Sequence, residues 1–353
     1  YILIILNFLQ QDKHKIKNGK SHKQNVSLLY QVTNKSTFQL INYINNSFKF
    51  INKGDFMCGI IGKVGSDEVM PELLNGLEKL EYRGYDSAGI AVIHKESISR
   101  CRESGKIINL KTKAEKNREK LTGNVGIGHT RWATHGNPTI ENAHPHVSND
   151  GKFSIVHNGI IENAEEIKAD FLSSDSFYSQ TDTEVAVKLI SKFYKNDVIT
   201  AIKIACKEMT GTFAFGILCT DLPDKIFATA QGSPLIAVKG ETGCWIASDI
   251  GAINEKNGEV YRISNGEICE ISKDTIIFYS SDGEEIKKLP EKISLTKEAV
   301  NKGGYEHFML KEIHEQPLAI RKTVFSFADK EGIEFKDIHL TDDFLKNKLG
   351  RII

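Results

Sequence analysis

Residues 58–65 read Cys58-Gly-Ile-Ile-Gly-Lys-Val-Gly65. A short apolar run broken by glycines is the pattern of a strand that other backbone approaches closely. Working outward, residues 68–82 place Val69, Met70, Leu73, Leu74, Leu77 and Leu80 at helical spacing. Ala88–Ile93, Val125–Thr130 and Phe153–His157 read as strands, the last ending in His157-Asn158-Gly159. Helical periodicity returns over 182–194 through Val185, Leu189, Ile190 and Phe193, and over 198–209 through Ile199, Ile202, Ala205 and Met209. Strands then dominate, at 213–219, 225–230, 235–239, 244–248, 260–263, 267–271 and 275–279. Asn257-Gly258, Asn265-Gly266 and Asp282-Gly283 punctuate them as turns. Many strands with few helices predict an α+β domain, two sheets packed with helices outside.

The 353 residues suggest more than one domain. Residues 58–283 are the candidate folded domain, 284–304 a charged linker broken at Gly303-Gly304, and 305–353 the start of a second domain too short to be whole. Residues 1–56 contain no Ala, Arg, Glu, Pro, Met or Trp, unlike ordinary globular usage. With Met57 they read as a non-native upstream extension plus an initiator methionine, so that translation would begin at Met57. A pro-segment removed before Cys58 and a targeting signal are the alternatives; no basic stretch precedes Tyr1–Leu9 and no small-x-small site follows soon.

Composition is that of a soluble protein, 40% hydrophobic and 26% charged with zero formal net charge. Neutral charge and the lack of a basic run with interleaved aromatics argue against nucleic acid or an anionic membrane as partner. Nothing downstream approaches the roughly 18 apolar residues of a membrane helix. The six cysteines, Cys58, Cys101, Cys206, Cys219, Cys244 and Cys269, form no C-x-x-C pair, which favours reduced thiols in a cytoplasm. No cofactor motif is apparent. His129, His135, His144 and His146 have neither C-x2-C nor H-x3-H spacing, so no metal site is expected.

Loss of Met57 would leave Cys58 with a free α-amine beside its thiol. Their reference pKa values, about 8 and about 8.5, both lie near neutrality. The amine could therefore take the thiol proton and make Cys58 a nucleophile without a separate histidine. A small buried cysteine at the start of a strand is the plainer alternative.

Further pieces bear on that choice: Tyr82-Arg-Gly-Tyr-Asp-Ser-Ala-Gly89, His129-Thr-Arg-Trp-Ala-Thr-His-Gly136, Asn142-Ala-His-Pro-His146, His157-Asn-Gly159 and Thr181-Asp-Thr-Glu184. Together with Cys58-Gly-Ile-Ile-Gly62 they resemble, in order and over about residues 58–290, the class II glutamine amidotransferases, which are N-terminal nucleophile (Ntn) hydrolases. Leu80–Gly89 and Lys311-Glu-Ile-His-Glu-Gln-Pro317 resemble the glutamine:fructose-6-phosphate branch rather than the purine or asparagine branches. The resemblance implies a four-layer αββα sandwich of two antiparallel sheets. It also implies glutamine hydrolysis through a Cys58 thioester, releasing ammonia. In a full-length enzyme that ammonia converts fructose 6-phosphate to glucosamine 6-phosphate, and a homodimer forms largely through the sugar-isomerase half.

The same resemblance assigns residues. Asn158 and the Gly159 N–H become the oxyanion donors, where a type I′ turn is the alternative. Arg131 offers a fork to the substrate carboxylate and Asp182 a counter-charge to its ammonium, although Asp182 also reads as an ordinary first-turn helix acid. Thr134 and His135 complete the amino-acid pocket and His144 lines it. Trp132 gates the ammonia passage, or is a core aromatic. Arg83 lies near the nucleophile, or steadies the turn at Gly84. His129 and His146 are expected to make structural hydrogen bonds. A non-catalytic glutamine-binding module is the competing class, since an α-amine still in a peptide bond cannot act as a base.

Overall fold

The computed structural model describes residues 58–84, 86–132, 136–255, 258–291, 305, 310, 311 and 313–318. The expectations for 1–57, most of the linker and nearly all of 305–353 lie outside the described residues. In chain order the elements are β1 (Gly59–Gly65), α1 (Met70–Leu80), β2 (Ser87–His94), β3 (Ser97–Ser104), α2 (Ile107–Lys116), β4 (Val125–Arg131), β5 (His146–Val147) and β6 (Phe153–Ile161). They continue with α3 (Ala164–Phe171), α4 (Asp182–Phe193), α5 (Val198–Glu208), β7 (Gly211–Cys219), β8 (Ile226–Gln231), β9 (Ile236–Gly240) and β10 (Gly243–Ala247). The last are β11 (Gly258–Arg262), β12 (Ile268–Ile271), β13 (Ile276–Tyr279) and β14 (Glu285–Ile286).

Two antiparallel sheets result, one ordered β11-β9-β10-β1-β4-β2-β3 and the other β14-β13-β12-β8-β7-β6-β5. Three apolar cores separate four layers. The first joins α1 and α2 to the outer face of the first sheet through Leu73, Leu77, Leu110 and Ile61. The second joins α3, α4 and α5 to the outer face of the second sheet through Ile167, Leu189, Ile202 and Phe215. The third lies between the sheets and contains Ile60, Val64, Ile127, Val156 and Ile246. This is the expected αββα sandwich.

The layering explains why β1 reads as a run rather than an alternation. Both of its faces are covered, so Ile60 and Val64 point between the sheets while Ile61 meets the helices. Lys63 lies on the helix side, buried, paired with Glu72 and 4.4 Å from the Trp245 ring centroid. The sequence-based strands and helices agree in place with the structure, with ends moved by at most two residues except at β6, which runs four residues further. Five elements were not foreseen: β3, a polar edge strand; α2 and α3, whose apolar faces are short; and the two-residue strands β5 and β14. Asn158-Gly159 was expected at a strand end, but β6 continues to Ile161, with Asn158 opposite Ala214 and Gly159 opposite Phe213. Among the described residues no helix is long and apolar enough to cross a membrane.

The start of α4 is held by a buried ion pair. Glu184 and Lys188 meet at 2.6 Å, with side chains 0% and 1% exposed. Glu184 also accepts from Tyr178 N (3.0 Å), Ser179 N (2.7 Å) and Ser179 Oγ (2.6 Å), and Lys188 donates to the Ser176 carbonyl. The pair thus ties residues 176–179 to α4, whose first residue is Asp182. Removing one partner strands the other charge. Lys188→Met should therefore lower unfolding free energy by about 3 kcal/mol, measured by urea denaturation.

Candidate active site

Cys58 precedes β1, next to the end of the neighbouring strand β4: Gly59 pairs with Thr130, and Arg131 and Trp132 follow. The Trp132 backbone N–H donates to Cys58 Sγ at 3.2 Å, and the thiol faces the Trp132 carbonyl at 3.6 Å. Burial pushes the Cys58 thiol up. The Trp132 N–H and the Arg131 guanidinium oppose that rise, and Asp182 adds to it. The thiol therefore needs a base to react near neutral pH. What meets the sulfur from Trp132 is its backbone.

Asn158 reaches Cys58 from the other sheet. Its Nδ2 donates to the Cys58 carbonyl at 2.7 Å, and its Oδ1 lies 3.1 Å from His129 Nε2. Gly159 follows with φ +130°, and a Cβ there would lie 2.1 Å from the Thr212 carbonyl oxygen. Only glycine fits without backbone movement. Asn158 keeps a negative φ, so the pair is not a type I′ turn, which needs positive φ at both positions.

Arg131 is buried on the same side of β4 as His129, and its Nη1 donates to the Asn137 carbonyl at 3.2 Å. Burial lowers its pKa, against the influence of Cys58, Asp182 and Asp86. Asp182 is indeed the first residue of α4, and its Oδ2 also accepts from Ile161 N–H at 2.8 Å, two residues past Gly159. An arginine and an aspartate thus both act electrostatically on the thiol from opposite signs. Gly84 lies against the Arg131–Trp132 peptide, where an added Cβ would meet Trp132 N at 2.9 Å. The Arg83 side chain and all of Thr134 and His135 lie outside the described residues.

His144 belongs to a group of four buried histidines. Its ring centroid lies 4.2 Å from that of His129, 4.8 Å from His146 and 6.5 Å from His157. The Thr183 hydroxyl sits between His144 Nε2 (2.7 Å) and His157 Nδ1 (2.8 Å). His146 bonds Tyr178 OH and Thr181 Oγ1, both at 3.1 Å. Burial pushes His129 down to about 3 and lowers the other three as well, so these imidazoles are neutral near pH 7. Among the described residues no group of three or more His, Cys, Asp or Glu is arranged to hold a metal ion. Thr183, bonded to two of the histidines, was not singled out from sequence. Its Thr-Asp-Thr-Glu setting reads as a helix start and gives no sign of that link.

Comparison with known proteins bears directly on this arrangement. Residues 129–255 match the family model described as a glutamine amidotransferase domain. A Clostridium tetani protein named glutamine--fructose-6-phosphate aminotransferase [isomerizing] is 45% identical over 272 residues, 76% of this chain and 44% of the relative. Residues 129–255 thus carry a glutamine amidotransferase domain. A Fusobacterium nucleatum protein with the same name is 46% identical over 294 residues, 80% of this chain and 48% of the relative. The chain thus spans about half the length of the curated relatives it matches. Among solved structures, glutamine phosphoribosylpyrophosphate amidotransferase from B. subtilis, complexed with ADP and GMP, superposes with a TM-score of 0.55 at 24% identity. That match covers 64% of this chain and 49% of the other, and shows the fold. A structure described as the allosteric regulatory enzyme of purine biosynthesis gives a TM-score of 0.56 at 25% identity, over the same shares. Both neighbours share the two-sheet sandwich fold seen here.

Proposed function

We propose that this domain hydrolyses L-glutamine through a Cys58 thioester once the Cys58 α-amine is free. In a longer enzyme the released ammonia would serve the conversion of fructose 6-phosphate to glucosamine 6-phosphate. The observation that carries the reading is the meeting of Asn158 and Cys58 between the two sheets, with Arg131 and Asp182 close enough to act on the thiol.

The α-amine takes the thiol proton and sulfur attacks the side-chain amide carbon of glutamine. The resulting oxyanion takes the second Asn158 N–H, since the first is held by the Cys58 carbonyl. It also takes the Gly159 N–H. Alternation along the ladder supports this second donor, because it turns the Gly159 N–H to the same edge as the Ile161 N–H that meets Asp182. Collapse expels ammonia, which leaves with the proton held by the amine. Water then cleaves the thioester to glutamate, with the amine again as base. Arg131 holds the substrate carboxylate and Asp182 its ammonium, with Thr134, His135 and Arg83 completing the pocket, His144 as part of its wall and Trp132 at the ammonia exit.

Identity near 45% with two proteins named for fructose 6-phosphate, against 24–25% with the purine-pathway structures, supports the amino-sugar branch. The free thiols of Cys58, Cys101, Cys206, Cys219, Cys244 and Cys269 fit a cytoplasmic setting. A homodimer belongs to the longer enzyme in this reading, and no cofactor takes part.

Glutamate release by protein that begins at Cys58 tests the reading, and Arg131→Lys tests the pocket. Lysine keeps the charge but loses the bidentate fork. KM for glutamine should rise by about 10- to 100-fold with kcat changed far less. An unchanged KM would remove Arg131 from the carboxylate site.

A further inference from the structure

We infer that His129 is a positioning residue, fixing the Asn158 side-chain amide so that its N–H groups, and not its oxygen, face the reacting carbonyl. The inference rests on the glutaminase reading above for its chemical meaning, and on hydrogen-bond logic for its geometry.

An asparagine amide presents either an acceptor or two donors, depending on which way it is turned. Turned wrongly, Asn158 would aim an oxygen lone pair at a developing oxyanion. The Cys58 carbonyl can only accept, so the Asn158 atom 2.7 Å from it must be the nitrogen. The other atom is then the oxygen, and it lies 3.1 Å from His129 Nε2. That same Nε2 lies 2.8 Å from the His157 carbonyl, a second obligate acceptor. His129 Nε2 must therefore carry the proton and share it between the two oxygens. The tautomer of one ring thus dictates the orientation of one amide.

The ring is itself immobilised. His129 is 0% exposed and lies on β4, with its neighbour Gly89 on β2 opposite it in the ladder. A Cβ on Gly89 would fall 2.1 Å from the His144 carbonyl oxygen, so this glycine lets the 143–145 segment settle onto the sheet. The His144 ring then covers His129 at 4.2 Å, and Thr183 holds His144 in turn. Because burial pushes His129 down to about 3, the ring stays neutral, and the Nε2 proton keeps its role across the working pH range. A histidine is suited to this place because it donates at the far end of a flat, stackable ring.

The test uses protein beginning at Cys58, with two substitutions. His129→Phe keeps the flat ring and loses the donor; His129→Gln keeps an N–H at similar reach. The expected result for His129→Phe is a kcat for glutamine hydrolysis lowered about 100-fold, the cost of losing one aligned oxyanion donor. KM should stay within about threefold. Alkylation of Cys58 by iodoacetamide, a displacement that develops no oxyanion, should also stay within about threefold. His129→Gln should recover most of kcat. An unchanged kcat in His129→Phe overturns the inference, and so does a parallel fall in kcat and alkylation, which would mark general damage. Nitrogen NMR of the unsubstituted protein at pH 7 gives a reading that needs no variant. The Nε2–H tautomer is expected for His129, and the Nδ1–H tautomer overturns the inference. If the unsubstituted protein does not hydrolyse glutamine, the glutaminase reading falls, while the NMR result still decides whether His129 orients Asn158.

Discussion

Cys58→Ala, in protein that begins at residue 58, should lower glutamine hydrolysis by about 10,000-fold or more, the scale of loss when a nucleophile is removed. The expectation follows from how little else at the site could replace it. The four neighbouring histidines are held neutral by burial, and those that bond Thr183, Asn158 and Tyr178 are already engaged in positioning. Cys58→Ser should restore little of the rate. A hydroxyl is far less acidic than a thiol, and an amine of pKa near 8 is a poor base for it. The fold should tolerate both changes. Cys58 lies just outside β1 at a partly buried position and belongs to none of the three apolar cores. Glutamate release and melting temperature, measured on the same preparations, check the two halves of the prediction. Residual activity in the alanine variant within about tenfold of the parent would remove Cys58 from the reaction.

Keeping any residue in peptide linkage before Cys58 should cost about 100- to 10,000-fold in turnover, the usual worth of a positioned general base. An amide nitrogen has no lone pair available for a proton. The thiol, which burial already makes a weaker acid, then has no partner to ionise it. Fold and thiol should otherwise be intact, so iodoacetamide at high pH should still alkylate Cys58. The pH dependence separates the two forms. In the free-amine form the amine must be unprotonated to act, so the rate should rise with pH through an amine pKa near 8. In the extended form that limb should be missing. Glutaminase assays on matched proteins, one starting at Cys58 and one carrying residues 1–57, measure both effects.

Most of the fold could be read from residue patterns because both sheets are covered on both faces, which makes their central strands apolar runs. β1, β4 and β7 stand out for that reason. β3 does not, because it is an edge strand whose Arg100 and Arg102 reach outward to the carbonyls of Pro145, Glu141 and Ala143. Those contacts are long-range and leave no local periodicity. At the site, the resemblance to a family supplied Asn158, Arg131 and Asp182, and local reading alone offered plausible alternatives for Asn158 and Asp182. For Asn158-Gly159 a turn was the local reading, and only pairing with Ala214 and Phe213 on β7 places the two residues inside a strand. For Asp182, the helix-start reading holds and the bond to Ile161 N–H adds to it. The histidine group was the least legible part. His129, His144, His146 and His157 come from β4, the segment after it, β5 and β6, and they gather around Thr183 only when two sheets and a helix pack.

The most direct measurement is intact mass after rapid acid quenching of protein that begins at Cys58, mixed with glutamine. The account predicts a transient adduct equal to glutamine less ammonia, located on Cys58 and lost as glutamate accumulates. Glutamate release with no adduct in Asn158→Leu or parent protein, at a rate unchanged by Cys58→Ala, would contradict it.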